Sequence, residues 1–149
     1  MRRTALIVLA SVLALALAGS ATAQMSLAEI IKVRDEAMNA EDVDTAMSLY
    51  ADGVTYTVIY GPDREPLILT GKDAIHARLA GFVGGNVHYD ATVLAVIGDT
   101  ARAFCTWAID GLRGDGFEHI EQFEEFVVRD GKIVEHTMTV LRMVPSEAP

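Results

Sequence analysis

The stretch Phe117 to Phe123 holds the residues best suited to chemistry. Phe117, His119, Glu121 and Phe123 alternate with Glu118, Ile120, Gln122 and Glu124 at the period of a strand. The two phenylalanines mark their own face as the interior one, so His119 and Glu121 are expected to point into an apolar cavity. Glu125 ahead of Phe126-Val127-Val128 then requires a phase slip, which predicts a bulge. On the last strand Val134, His136, Met138 and Val140 share the apolar face, which turns His136 inward and towards His119 or Glu121. Burial raises a glutamate pKa and lowers a histidine pKa, whereas pairing favours both charged forms. Either effect can bring an acid/base pair towards neutral pH. Two readings follow: Glu121 and one of the histidines move a proton on a bound molecule, or the pair is structural and at most orients a ligand. His119, Glu121 and His136 also make a two-histidine, one-carboxylate set. Alternating strand positions lack the tight spacing of a metal signature, so no metal is expected.

Other residues are placed to line the same cavity. Arg34 interrupts the apolar face of a helix and could clamp an oxygen through its planar fork, pair with a structural acid, or reach back to solvent. Tyr56, Val58 and Tyr60 share one face of a strand, and Phe82, Trp107, Phe123 and Met138 lie on apolar faces of theirs. Aromatic side chains both line binding cavities and fill cores. The glycine-rich Gly111 to Gly116 lacks phosphate-loop spacing and reads as a hairpin connection. No cofactor motif is present.

The elements that must hold these residues are legible in outline. Ser26-x-x-Glu29 is a capping box, followed by Leu27, Ile30, Ile31, Arg34, Ala37 and Met38 at helical spacing up to Asn39. Asp42 caps a second short helix that Asp52-Gly53 is expected to end. The period switches to two at Val54, and Leu67 to Leu69 reads as a short strand. A third helix begins at Gly71-Lys72-Asp73 and closes at Gly84-Gly85. Four long strands follow: Val87 to Ile97, Ala101 to Asp110, Phe117 to Val128 and Ile133 to Met143. Three helices ahead of an antiparallel meander define an α+β layout; a strongly curved sheet that encloses a cavity, with the third helix as one wall, is one of several topologies that fit it.

Arg2-Arg3, the apolar run Ala5 to Ala18 and the small residues ending at Ala23 have the form of a cleaved export signal. The run is shorter than the ~20 residues that cross a bilayer. Residues 1–23 are therefore expected to be removed, leaving one domain over 24–144 and a flexible tail over 145–149, in the periplasm or outside the cell. The mature chain has 149 − 23 = 126 residues, and losing two arginines takes its charge from −9 to −11. That sign disfavours nucleic acid and anionic membrane surfaces. Cys105, the single cysteine, sits in an apolar run and reads as a small core residue.

Three segments resemble the nuclear transport factor 2-like superfamily, and within it the SnoaL-like and ketosteroid isomerase-like proteins. They are Asn39-Ala40-Glu41-Asp42-Val43-Asp44 through Leu49-Tyr50-Ala51-Asp52, then Gly71-Lys72-Asp73-Ala74-Ile75, then Phe126-Val127-Val128-Arg129-Asp130-Gly131-Lys132-Ile133-Val134. The resemblance spans about Met25 to Leu141. It implies a cone-shaped fold, a deep apolar pocket for a small oxygenated ligand, cofactor-independent isomerase, cyclase or dehydratase chemistry, and a homodimer formed through the outer sheet face. It also implies departures. The isomerases' first-strand carboxylate falls at Val58, which takes no proton, and their first-helix hydroxyl donor falls at Arg34. Glu121 is the counterpart of their later acidic residue. A non-catalytic ligand-binding or dimerisation module remains the alternative.

Overall fold

The computed structural model describes residues 25–146; the expected export signal lies outside them. The elements in chain order are α1 (Leu27–Asn39), α2 (Val43–Ser48), β1 (Tyr50–Ile59), β2 (Leu67–Thr70), α3 (Lys72–Ala80), β3 (His88–Ile97), β4 (Thr100–Ala108), α4 (Asp110–Gly114), β5 (Phe117–Arg129) and β6 (Lys132–Pro145). The six strands form one sheet in the order β2-β1-β6-β5-β4-β3. Every neighbouring pair is antiparallel except β1 with β6. The α+β architecture is as the sequence implies, a curved sheet that does not close on itself, with helices against its concave face.

Local signals explain the helix starts. The Ser26 hydroxyl accepts from the Glu29 amide while the Glu29 carboxylate accepts from the Ser26 amide, closing the capping box. The Asp42 carboxylate accepts from the amide and hydroxyl of Thr45. One face of α1 then buries Ile30, Ile31, Ala37 and Met38 against the sheet, where they meet Tyr50, Val54, Phe126 and Ile133 in a common core.

Several boundaries differ from the sequence expectation, and α3 ends at Ala80 rather than at Gly84-Gly85. The second helix stops at Ser48 rather than at Asp52-Gly53, because Tyr50 already pairs with Ile133 and the Ile133 amide donates to the Leu49 carbonyl. Asp52 and Gly53 fall in the register break between Tyr50 and Thr55. The connection over 111–116 is a short helix, α4, braced by an Arg113–Asp110 ion pair and by the Asp110 amide donating to the Gly85 carbonyl. The last strand continues to Pro145 opposite Phe117, and the Ser146 amide donates to the Gly116 carbonyl, so the expected tail begins as strand.

The corner between α1 and α2 acts at a distance on β3. Asn39 mimics a strand neighbour: its Nδ2 donates to the Tyr89 carbonyl (2.7 Å) and its Oδ1 accepts from the Tyr89 amide (2.5 Å). Glu41, in the left-handed region at φ 57°, accepts from the amides of Gly84 (2.8 Å) and Val87 (3.3 Å). Together they fix the segment that carries Tyr89. Asn39→Ala leaves both Tyr89 backbone groups without their partner, and is expected to cost about 2 kcal/mol of stability. Urea unfolding measures it; a loss below about 0.5 kcal/mol would show that water replaces the clamp without penalty.

Candidate active-site pocket

The inner face of β5 is the opposite of the one expected. Burial alternates without a slip from Ile120 through Gln122, Glu124 and Phe126 to Val128, all enclosed, while Glu121, Phe123, Glu125 and Val127 face out. β5 itself does not slip after Glu124. The register shifts on either side, between Glu121 and Gln122 and between Val127 and Val128, each put the extra residue on β6. His119, Glu121 and Phe123 are therefore on the convex face, and this corrects their expected orientation. There Arg142 holds Glu121 through two hydrogen bonds of 2.6 and 2.7 Å, which keeps its carboxyl below the ordinary glutamate value. His119 Nε2 lies 3.7 Å from Glu121 Oε1, so this pair does form, but outside the cavity. His136 is turned inward as expected and is wholly buried. Its partner is Glu124 rather than His119 or Glu121, and the three groups of the metal-like set are divided between the two faces of the sheet.

The remaining expected pocket residues converge. Arg34, Tyr56, Val58, Tyr60, Phe82, Trp107 and Met138 all line one cavity, joined by Arg78, Tyr89, Ile120 and Gln122. The space between them out to the mouth is about 510 Å³, and the centre of a water molecule can occupy only about 50 Å³ of it. It is thus a narrow slot. Its inner end is polar: Arg34 and Gln122 are each 1% exposed, and Tyr89 is buried beside them. Its walls are apolar, with Val58, Leu79, Phe82, Met138 and Val140. Tyr60, 37% exposed, stands at the mouth.

Behind the polar end lies a fully enclosed set of ionisable groups. Glu124 Oε1 accepts from the Tyr89 hydroxyl and from Gln122 Nε2, whose Oε1 in turn accepts from Trp107 Nε1 (3.0 Å). Gln122 Nε2 also donates to the Tyr89 oxygen (3.1 Å). Glu124 Oε2 faces His136 Nε2 at 3.3 Å and Arg34 Nη1 at 3.6 Å, yet neither approach is aligned as a hydrogen bond. Arg34 Nε donates to the Tyr50 hydroxyl (3.1 Å), which leaves the Tyr50 proton to donate to His136 Nδ1 (3.0 Å). That direction puts the histidine proton on Nε2, towards Glu124. Phe126 stacks on the imidazole at 4.2 Å and Tyr56 meets it edge-on at 5.0 Å. Arg34 Nη1 also holds Asp35 at 2.8 Å. Burial works against the arginine's charge, but its neighbours, Glu124 and Asp35 among them, outweigh burial and keep it protonated.

The sequence reading passed over Gln122, Glu124 and Tyr50. Phe126 and Val128 were the available signal, since strict alternation back from them turns 124, 122 and 120 inward. Chemically the set can hold or pass a proton: the Tyr89 hydroxyl lies on the pocket wall with a carboxylate directly behind it. Cys105, buried on β4, has its thiol pushed up to about 12 by burial and is inert.

Asp35 and His136 give stability opposite pH dependences. Burial, only partly offset by Arg34, pushes the Asp35 carboxyl up to about 6. Between the ordinary aspartate value and about 6 the folded protein keeps a proton that the unfolded chain has released. This group's contribution therefore falls as pH rises through that window. Burial holds His136 below its ordinary value, so below that value the unfolded chain binds a proton that the folded one refuses. Its contribution is lost as pH falls. Asp35→Asn removes the first effect: relative to the wild type it should gain about 2 kcal/mol between about pH 4.5 and about pH 7.5. Urea unfolding at the two pH values checks this, and no relative change would mean that Asp35 ionises as in water.

A family model for the SnoaL-like domain matches residues 31–136. No match to a curated protein was found. Among solved structures, a protein of unknown function from Cytophaga hutchinsonii with the nuclear transport factor 2-like fold superposes with a TM-score of 0.63 at 12% identity, over 78% of this chain and 91% of that one. A protein from Kribbella flavida assigned provisionally as a ketosteroid isomerase gives a TM-score of 0.60 at 17% identity, over 81% and 80%. The epoxide hydrolase/cyclase-like enzyme SalBIII, of pyran ring formation in the polyether salinomycin, gives 0.62 at 17% identity, over 75% and 88%. These similarities establish the fold. With the family model covering most of the chain, the slot and its helices are those of a member of the SnoaL-like domain family.

Proposed function

We propose that the slot binds a small, mostly apolar, oxygenated molecule and that the protein moves a proton on it with its own side chains, as an isomerase, cyclase or dehydratase does. The observation that carries this reading is Glu124, a wholly buried carboxylate with one oxygen lacking a hydrogen-bond partner and the other bonded to a pocket hydroxyl. A carboxylate in such a place is costly unless it is paired, and active sites are where such costs are kept.

In this reading Tyr89 touches the ligand. Glu124 takes the Tyr89 proton as the phenol oxygen accepts one from the ligand, and the reverse passage returns a proton to another ligand atom. Arg34 orients a ligand oxygen at the inner end of the slot, while Gln122, with both amide protons given to Tyr89 and Glu124, holds those two in place. His136 and Arg34 bias Glu124 and are positioning residues. The names given to the Kribbella flavida and SalBIII proteins support proton-transfer chemistry in this fold. Export and a homodimer belong to the same proposal. The N-terminal residues support export, and Leu94, Val96 and Leu141, all half exposed, support burial of the outer sheet face by a second copy. The mature protein should begin at Gln24 and sediment as a dimer.

A thermal-shift panel of steroids, polyketide-like aromatics and lactones, with turnover assayed on each hit, tests the function. Tyr89→Phe and Glu124→Gln should each lower kcat by about a hundredfold while ligand affinity changes little. Glu121→Gln, on the outer face, should leave kcat unchanged. Ligands that bind without turnover, or turnover indifferent to both inner substitutions, would reduce the protein to a binding module.

A further inference from the structure

The mouth of the slot carries charge of an unexpected kind. Among the described residues there are ten lysines and arginines, and seven of them lie within 4.0 Å of a carboxylate. Lys132 donates to the Ser48 carbonyl instead. The two that remain, Arg64 and Arg78, both converge on Tyr60. Arg78 Nη2 donates to the Tyr60 hydroxyl at 3.1 Å, and the Arg64 guanidinium stands over the Tyr60 ring at 5.2 Å. Arg78 also lies over Phe82 at 5.7 Å, and its Nε is enclosed with no hydrogen-bond partner. Tyr60, Arg78 and Phe82 all line the slot, whose wall contains no Asp or Glu.

In a chain with 21 acidic residues, leaving two neighbouring arginines without a carboxylate is a specific arrangement. An arginine with no carboxylate of its own can take one from a ligand through its terminal nitrogens. Arg34, the cation at the inner end, cannot take this part, because Glu124 and Asp35 already balance it. A neutral ligand would need no cation at the mouth. An anion, by contrast, has to be drawn in against the strongly negative charge of the chain, and a compact monoanion is opposed least.

We propose that the ligand is a small apolar carboxylic acid, bound with its carboxylate at the mouth between Arg78 and Arg64 and its hydrocarbon part in the slot. This rests on the pocket being a ligand site and names the class of molecule it takes. A hydroxyl further along the acid would reach the inner end, where the Tyr89 oxygen can accept from it.

The test compares matched acids and amides: hexanoate with hexanamide, and 4-phenylbutanoate with 4-phenylbutanamide, by calorimetry at low ionic strength. The wild type should bind each acid roughly tenfold or more tightly than its amide. That preference should shrink as sodium chloride is added. Arg78→Gln should abolish it with amide affinity unchanged, Arg78→Lys should keep part of it, and Arg64→Gln should reduce it. Thermal unfolding of each variant confirms that it is folded, and Arg64→Gln, in an exposed loop, supplies the reading should Arg78→Gln not fold. Amides bound as well as acids by the wild type would overturn this inference alone. An acid preference that survives both Arg78→Gln and Arg64→Gln would overturn it too. Failure of all four probes to bind would overturn it together with the pocket reading.

Discussion

Glu124 and Arg34 face each other with no exposure to solvent, and the rest of the molecule is arranged around that pair. Taking both charges out of water costs several kcal/mol per ion, which their mutual attraction repays only if the remaining lone pairs and protons find partners. Those partners come from five elements: Asp35 from α1, Tyr50 from β1, Tyr89 from β3, Gln122 from β5 and His136 from β6. Since β3 and β1 are far apart in strand order, the sheet must curve for their side chains to reach one carboxylate. The apolar layer of Ile30, Phe126 and Ile133 around the set excludes water and strengthens each contact within it.

The same pair explains why the site was harder to read than the fold. Capping residues, helical spacing and the alternating strands locate the main elements, because these follow from local chemistry. The motifs from Asn39 to Asp52 and from Phe126 to Val134 carried the family. On β5, however, the apolar residues point both ways, Phe117 and Phe123 to one side, Ile120, Phe126 and Val128 to the other. Placing polar Gln122 and Glu124 in a core contradicts binary patterning, and a bulge after Glu124 is the solution that patterning favours. Patterning fails here because burial of Gln122 and Glu124 is offset by Tyr89, Arg34 and His136, three residues distant in sequence. Violations of this kind are what functional sites leave in an otherwise consistent chain.

His136 and Met138 were placed inward correctly because β6 has no such conflict. Arg34, likewise, was legible as a break in an apolar helix face, but not its partners. No sequence pattern reports that Asp35, next in the chain, turns back to the same guanidinium, or that a tyrosine sixteen residues on links it to a histidine. Contacts at such separations depend on how the sheet bends. The expected His119–Glu121 association does occur, and Arg142 on the outer face satisfies it. Residue types were enough to predict the pair, though not the side of the sheet.

What the enclosed set does with a proton follows from its charge. Arg34 is positive, Glu124 and Asp35 are acids, and His136 is neutral with its Nε2 proton towards Glu124. With both acids ionised the cluster carries one excess negative charge, in a place where excess charge is expensive. One added proton removes the excess. Asp35 takes it below about 6, while burial discourages His136 from doing so. A proton arriving from the slot through Tyr89 would lower the electrostatic cost of the cluster instead of raising it. In the proposed reaction the drive to accept a proton would come from the whole set, with only the Tyr89 phenol between it and the slot.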